Sequence, residues 1–204
     1  MSNVSGRMKA VSENAEVFRN LMMQLTGCSY KVHEAKPKFP PPTDHASWYV
    51  YTPSLQASSR YAHDLWKDDQ SSIHIESFYL GTIAQWIEGR YGEEGATAAA
   101  KVDYSDFTAA KTFLAKKFPA VEKNLRDYES IVSNVSATHK VNLSIRYEGS
   151  KGGATFYLHA KIDAPSDNAG RNRGQIERVL EALKGAWSNL EDYETKRARE
   201  SGLG

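Results

Sequence analysis

Histidines are the side chains in this sequence whose proton chemistry falls nearest to neutral pH. The chain contains six of them: His33, His45, His63, His74, His139 and His159. No two stand in the H-x-x-x-H or H-E-x-x-H spacing that brings two ring nitrogens together on one face of a helix around zinc. The spacing of the histidines therefore predicts no metal site.

Two histidines lie in surroundings that are typical of β-strands, His74 within I-H-I and His159 within L-H-A. On separate strands, two such imidazoles could converge as a general acid and a general base. The motifs H-I-E-S and H-A-K-I loosely resemble the paired H-x-T/S motifs of two-histidine phosphoesterases. The second motif lacks the hydroxyl residue, so no residue role is carried over from that family. A small hydrolase that uses these two histidines is the third of our functional hypotheses.

Other catalytic signatures are absent from the sequence. The single thiol, Cys28, excludes an intrachain disulfide and any multi-cysteine metal site, and nothing beside it suggests an activating partner. The chain has no Walker loop, no G-x-G-x-x-G and no G-x-S-x-G motif. We therefore predict no catalytic residue, no metal and no cofactor, and favour a protein that is not an enzyme.

The stretch VNLSIRYEGSKGGATFYLHAKID, residues 141–163, predicts an antiparallel hairpin. A four-residue loop at 149–152 places every apolar side chain on one face, which is the strongest constraint on strand register. The opposite face then carries a polar set: Asn142, Ser144, Arg146, Thr155, Tyr157 and His159. Lys140 and Lys161 would face each other at the open end, so a counter-charge is expected from Asp163, from another element or from an anion.

Charge is distributed unevenly along a chain whose formal net charge is only +1. Residues 140–173 hold six basic and three acidic side chains, residues 107–126 hold five and one, and residues 68–106 hold two and eight. Arg171 and Arg173 precede the predicted last helix, where cations oppose the helix dipole and an anion would relieve them. The segregation favours a basic binding face or two complementary faces.

Our first hypothesis is a non-enzymatic nucleic-acid-binding protein, for single strands or RNA. Basic side chains would contact phosphates, while Tyr157 and His159 would stack on bases. The predicted contact residues are Lys140, Arg146, Lys151, Tyr157, His159, Lys161, Arg171 and Arg173. The alternative is that the polar face is the solvated outer side of a sheet, as in many antiparallel sheets.

Our second hypothesis is a structural or interaction protein that assembles with copies of itself. The Pro-rich stretch at about residues 35–46, K-P-K-F-P-P-P-T-D-H, cannot form a regular helix or a central strand. Extended arms of this kind have little to bury locally and can lie on a neighbouring subunit. A linker is the alternative for this arm.

The hydrophobic periodicity predicts a helix-rich α+β protein. Helices are expected at about 12–25, 53–66, 74–90, 105–118, 119–135 and 175–198, with a short strand at 48–51. The first residues of the third helix, I-H-I-E-S-F-Y-L, could instead form a strand. We predict a flexible segment at residues 1–9 and one domain at 10–204, in which a small antiparallel sheet, formed by the hairpin at about 140–163, is packed by the long C-terminal helix.

The amino-terminal residues lack the apolar run of a signal peptide. No stretch reaches the eighteen apolar residues that a membrane-spanning helix needs. A single cysteine fits a reducing environment. These features predict a protein of the cytoplasm or another reducing intracellular compartment, without a membrane partner.

Overall fold

A computed structural model of the chain describes residues 2–35, 47–51, 63–67, 72–163 and 169–202. Its helices are α1 (Ser2–Thr26), α2 (Ile83–Ala99), α3 (Phe107–Lys117), α4 (Pro119–His139) and α5 (Ala169–Glu200). Its strands are β1 (Lys31–Ala35), β2 (Ser47–Tyr51), β3 (His63–Lys67), β4 (Ser72–Thr82), β5 (Asn142–Ser150) and β6 (Gly153–Asp163). The α+β class is confirmed, and the long C-terminal helix packs on the sheet as predicted.

The described strands form a six-stranded sheet in the order β1-β2-β3-β4-β6-β5. Strands β1 to β4 pair antiparallel in succession, with Val32 opposite Val50 and Leu65 opposite Ile75. Strand β4 therefore lies between β3 and β6, which makes it an interior strand of the sheet. The sheet is larger than the hairpin alone that the sequence predicted.

The chain divides into two compact units, Met1–Phe78 with His159–Leu183, and Tyr79–Leu158 with Lys184–Gly204. The first unit contains α1 and strands β1 to β3, and α1 packs on β1 and β2. The second contains α2, α3, α4 and β5, with α4 packed on β5 and on α3. Strands β4 and β6 and helix α5 contribute residues to both units. The single-domain organisation stays a prediction.

Strand β4 replaces the first half of the helix predicted at 74–90, so the strand alternative is the one confirmed. Ile73 and Ile75 are buried on one side of β4, and Ser72 and Glu76 are buried on the other. Polar and apolar residues alternate from Ser72 to Glu76, but so short a run does not distinguish a strand from the first turns of a helix.

Helix α2 begins at Ile83, directly after its capping residue Thr82. The hydroxyl oxygen of Thr82 accepts a hydrogen bond from the backbone N–H of Gln85 over 3.2 Å. The side-chain oxygen of Gln85 accepts one from the backbone N–H of Thr82 over 2.9 Å. This reciprocal pair is a capping box, which satisfies two donors that the first helical turn leaves without partners.

Three further predicted boundaries differ from the structure. Of the helix predicted at 53–66, residues 63–66 belong to strand β3, and residues 53–62 lie outside the described residues. Helix α1 begins at Ser2 rather than near Ser12, so it includes most of the segment predicted to be flexible. Helix α5 begins at Ala169 rather than near Gln175.

The hairpin keeps its predicted faces but has a shorter loop. Residues 151–152 alone separate β5 from β6, where a four-residue loop was predicted. Removing two residues from the loop preserves the faces because side chains alternate along a strand with a period of two. The apolar face is confirmed on β6, where the alternate residues Ala154, Phe156, Leu158, Ala160 and Ile162 are buried.

The tip of the hairpin is fixed by the segment that precedes α3. The backbone N–H of Tyr104 donates to the carbonyl oxygen of Ser150 over 3.0 Å, and that of Gly152 donates to Val102 over 2.8 Å. A Cβ atom at Gly149 would overlap the carbonyl oxygen of Tyr104 and the ring of Tyr147. Gly149 is therefore required by close backbone approach rather than by the turn, whereas Gly152 has the positive φ of 87° that the turn needs.

Within the second unit, apolar side chains of α4 that recur every three or four residues are buried: Val121, Leu125, Tyr128 and Val132. The ring of Trp86 in α2 stacks on Phe156 of β6 with centroids 4.6 Å apart. Helix α3 is capped by Asp106, whose carboxylate accepts from the backbone N–H of Ala109 over 2.7 Å, so the helix begins at Phe107 rather than at about residue 105.

Candidate functional site

His74 of β4 and His159 of β6 lie side by side on neighbouring strands within the first unit. Nδ1 of His74 and Nε2 of His159 are 2.9 Å apart, a hydrogen-bond distance. The ring centroids are 5.1 Å apart and the ring planes differ by 28°. Both side chains are half-buried. The convergence that the sequence raised as a hypothesis is confirmed for this pair.

A hydrogen bond between two imidazoles requires that one ring donates an N–H and the other accepts with a lone pair. The pair can therefore be neutral in either of two tautomeric arrangements, or it can share one added proton. If both rings were protonated, two N–H groups would point at each other and the bond would be lost. The hydrogen bond therefore restricts which ring nitrogens of His74 and His159 carry a proton.

Charged residues flank the pair along both strands. Glu76 follows His74 by two positions on β4, and its side chain is only 9% exposed. Lys161 follows His159 by two positions on β6, so it points to the same side of that strand. Its ammonium nitrogen lies 3.6 Å from a carboxylate oxygen of Asp163, one of the counter-charges that the sequence suggested. A cation and a carboxylate therefore lie within two strand positions of the histidines.

The eight predicted nucleic-acid contacts divide between the two units. Lys140, Arg146, Lys151 and Tyr157 belong to the second unit, and His159, Lys161, Arg171 and Arg173 belong to the first.

In the second unit, Lys140 lies outside the strand and ends helix α4 in a left-handed conformation with φ of 54°. The predicted cross-strand pair of Lys140 and Lys161 is therefore wrong, because β5 begins only at Asn142. Lys151 is exposed at the hairpin tip, where its backbone forms a bridge with Asp103.

Tyr157 has an aromatic neighbour that the sequence did not identify. The ring of Tyr79 approaches it edge-on with centroids 5.9 Å apart, and Tyr79 is 39% exposed. Tyr79 falls within the helix predicted at 74–90, whereas the structure places it inside strand β4.

In the first unit, Arg171 and Arg173 lie inside α5 rather than before it. The Nε atom of Arg173 donates to a carboxylate oxygen of Glu177 over 2.9 Å, one helical turn further on. The carboxylate of Glu177 therefore supplies the negative charge that we expected from a bound anion.

Ion pairs inside single elements offset much of the positive charge that the counts along the sequence had indicated. Arg146 pairs with Glu148 over 2.6 Å on β5, and Lys123 pairs with Asp127 over 2.6 Å on α4. Counting charges along a run cannot identify these pairs, because a strand brings together residues two apart and a helix brings together residues four apart.

Across the described ranges, no group of three or more His, Cys, Asp or Glu side chains is arranged to hold a metal ion. Among the described helices, none combines the length and the apolar composition that crossing a bilayer requires. The Pro-rich arm at 36–46 lies outside the described residues, so self-assembly through it stays a prediction.

Comparison of the chain with family models, with curated proteins and with solved structures finds no match. The class of protein that the fold defines is an α+β protein with a mostly helical second unit. Support for a function therefore comes from the chemistry of the residues that the fold brings together.

Proposed function

We propose that His74 and His159 form an acid–base site that cleaves the phosphodiester backbone of single-stranded RNA. One observation carries the proposal: two imidazoles that are 85 residues apart in the chain meet at 2.9 Å on adjacent strands. General acid–base catalysis contributes roughly 10²–10⁴-fold to a rate when the proton carriers are held in place. Half-burial of both rings supports such positioning without closing the site to a substrate.

The chemistry needs two proton carriers. One imidazole removes the proton of the ribose 2′-hydroxyl group as its oxygen attacks phosphorus. The other imidazole protonates the departing 5′-oxygen, which leaves a 2′,3′-cyclic phosphate and a free 5′-hydroxyl. A proton has then moved from one histidine to the other through the substrate. The hydrogen bond between the rings offers a direct path by which that proton returns.

Lys161 supports the choice of an anionic substrate. Its side chain points to the same side of β6 as His159, and it retains partial exposure beside Asp163. A cation near the reacting phosphate stabilises the negative charge that develops in the transition state. Cleavage of a phosphodiester uses a general base, a general acid and a cation together.

The test is cleavage of a fluorescently labelled single-stranded RNA of mixed sequence, followed on a denaturing gel in buffer containing a metal chelator. We expect His74→Asn and His159→Asn each to reduce the rate by roughly 100-fold or more. His139→Asn is the matched control, because this half-buried histidine lies in the last turn of α4. DNA of the same sequence lacks the 2′-hydroxyl group and is expected to remain intact. Absence of cleavage, or equal rates for all variants, would sink the proposal.

A second candidate is binding of nucleic acid without chemistry, as the sequence first suggested. The observation that favours it is the edge-on pair of Tyr79 and Tyr157, because exposed aromatic rings provide stacking surfaces for bases. Fluorescence anisotropy with a labelled RNA is the test. An Arg146→Ala/Lys161→Ala double variant should bind more weakly and with a flatter salt dependence. Binding by a wild-type protein that cleaves nothing would favour this candidate; no binding at low salt would reject it.

A further inference from the structure

A cavity in the second unit is lined by several positively charged side chains, and it contains neither His74 nor His159. It has a volume of about 260 Å³ and is lined by parts of α2, α4 and α5. Four of its lining side chains are cationic: Arg90, Lys123, Lys196 and Arg197. Its volume lies just below the range of roughly 300–1,000 Å³ that accommodates drug-sized ligands, which suits a small ligand.

Arg90 is the lining cation that a neutral side chain of α4 orients. Its guanidinium group donates to the side-chain oxygen of Asn124 over 2.9 Å, and Asn124 is only 5% exposed. This hydrogen bond orients the guanidinium group but leaves its charge uncompensated by that partner, since an amide is neutral. A planar guanidinium group presents several donors in a fixed fork that matches the oxygens of a phosphate.

The other cations are held by carboxylates. Lys123 contacts Asp127 over 2.6 Å, and Asp127 also accepts a hydrogen bond from the hydroxyl group of Tyr193 over 2.6 Å. The hydrogen bonds from Lys123 and Tyr193 keep the pKa of Asp127 below its ordinary value. Arg197 pairs with Glu194 through Nε at 2.9 Å. These contacts fix the directions of Lys123 and Arg197 beside the cavity while offsetting part of their charge.

The backbone adds to the same electrostatic preference. Ala120, at the second position of α4, also lines the cavity, so the positive end of that helix dipole lies at its edge. Glu200 is the single acidic lining residue, and its carboxylate is 3.9 Å from the ammonium group of Lys196. The balance of the lining is therefore positive.

We propose that this cavity binds a small phosphate monoester, with Arg90 as its central contact and Lys123, Lys196 and Arg197 around it. A phosphate monoester carries close to two negative charges near neutral pH, which matches a site with several cations better than a monocarboxylate does. The site is separate from the proposed RNA cleavage, and neither proposal depends on the other.

The experiment is isothermal titration calorimetry of the full chain with inorganic phosphate, ribose 5-phosphate and adenosine monophosphate at constant ionic strength. We expect saturable binding that Arg90→Gln weakens about tenfold, the loss typical of a hydrogen bond to a charged group. Arg126→Gln is the matched control: it lies on α4 and pairs with Glu122, but it does not line the cavity. Equal affinity for all three compounds would show that the protein recognises the phosphate group alone. Tighter binding of ribose 5-phosphate and adenosine monophosphate would show that the protein also contacts the organic part of the ligand.

Absence of saturable binding by the wild-type protein would overturn the proposal. An equal loss of affinity in Arg90→Gln and Arg126→Gln would also overturn it, because it would show that phosphate responds to the overall positive charge rather than to this cavity. If circular dichroism shows that Arg90→Gln does not fold, Lys196→Gln decides the matter, because 78% of the Lys196 side chain is exposed. Unchanged affinity for phosphate in Lys196→Gln would then reject the site.

Discussion

Nδ1 of His74 lies 2.9 Å from Nε2 of His159, so two strands from distant parts of the chain share a hydrogen bond between imidazoles. The contact is internal to one compact unit and joins β4 to β6 through side chains as well as through their place in the sheet. A contact of this kind contributes to stability whether or not it also performs chemistry, and the two contributions can be measured separately.

Coupling between the two histidines is the first prediction. A double-mutant cycle of His74→Ala, His159→Ala and the double variant should give a coupling free energy of about 1 kcal/mol, the net value of a part-buried hydrogen bond. The measurement is urea unfolding followed by circular dichroism at pH 7.5. The same cycle with His139→Ala in place of His74→Ala should be additive. Additivity in both cycles would show that the 2.9 Å contact does not persist in solution.

Two glycines of the hairpin are expected to respond differently to substitution. Gly149→Ala should reduce the free energy of unfolding by roughly 1–3 kcal/mol, because its Cβ would overlap Tyr104 and Tyr147. Gly153→Ala is the matched control, since no atom lies within 4 Å of its added Cβ and its φ is not positive. Thermal unfolding of the two variants makes the comparison. Equal effects would mean that the close approach of Tyr104 to the hairpin is not present.

The first turn of α3 provides a third prediction. Asp106→Ala should cost about 1 kcal/mol of stability, because the carboxylate caps the backbone N–H of Ala109 and lies at the positive end of the helix. Ser105→Ala, which removes an exposed hydrogen bond to Asp103, should change stability by less than about 0.5 kcal/mol. Chemical denaturation can rank the two variants. The reverse ranking would show that Ser105, and not Asp106, stabilises the start of this helix.

Alkaline pH should weaken the anchoring of the hairpin through Tyr147. Burial, followed by the negative charges of Tyr104, Asp103 and Asp106, raises the pKa of Tyr147 to about 12. Because the folded pKa exceeds the unfolded value of 10.0, this group stabilises the fold fully below pH 10, and the stabilisation is lost as the pH rises towards 12.

The check is to subtract the pH dependence of unfolding of Tyr147→Phe from that of the wild type. The difference should be constant below pH 10 and should shrink above it, since phenylalanine cannot ionise or donate to the carbonyl oxygen of Tyr104. An increase in the difference above pH 10 would contradict the assignment. The difference in tyrosinate absorbance between the wild type and Tyr147→Phe gives an independent measure of the ionisation of Tyr147.

Local patterns in the sequence determined a large share of the architecture. The predicted start of α4 at residue 119 is confirmed, because Pro119 suits the first position of a helix, and the spacing of apolar residues from Val121 to Val132 matches its buried side. The predicted end of α1 at about residue 25 lies one residue before the observed end at Thr26, and the φ of 71° at Gly27 shows why glycine follows the helix. The alternation along residues 154–162 determined the faces of β6 even though the predicted loop was two residues too long.

Only the tertiary structure decided what depends on contacts between distant segments. Strand β4 alternates polar and apolar residues only from Ser72 to Glu76, which left a helix open as an alternative, and its place beside β6 follows from sheet pairing rather than from local propensity. Glycine is required at position 149 because the carbonyl oxygen of Tyr104 lies too close for a Cβ atom. His74 and His159 form their hydrogen bond although they are 85 residues apart in the chain. A periodicity records which side of an element faces the core, but it holds no information about which partner lies there.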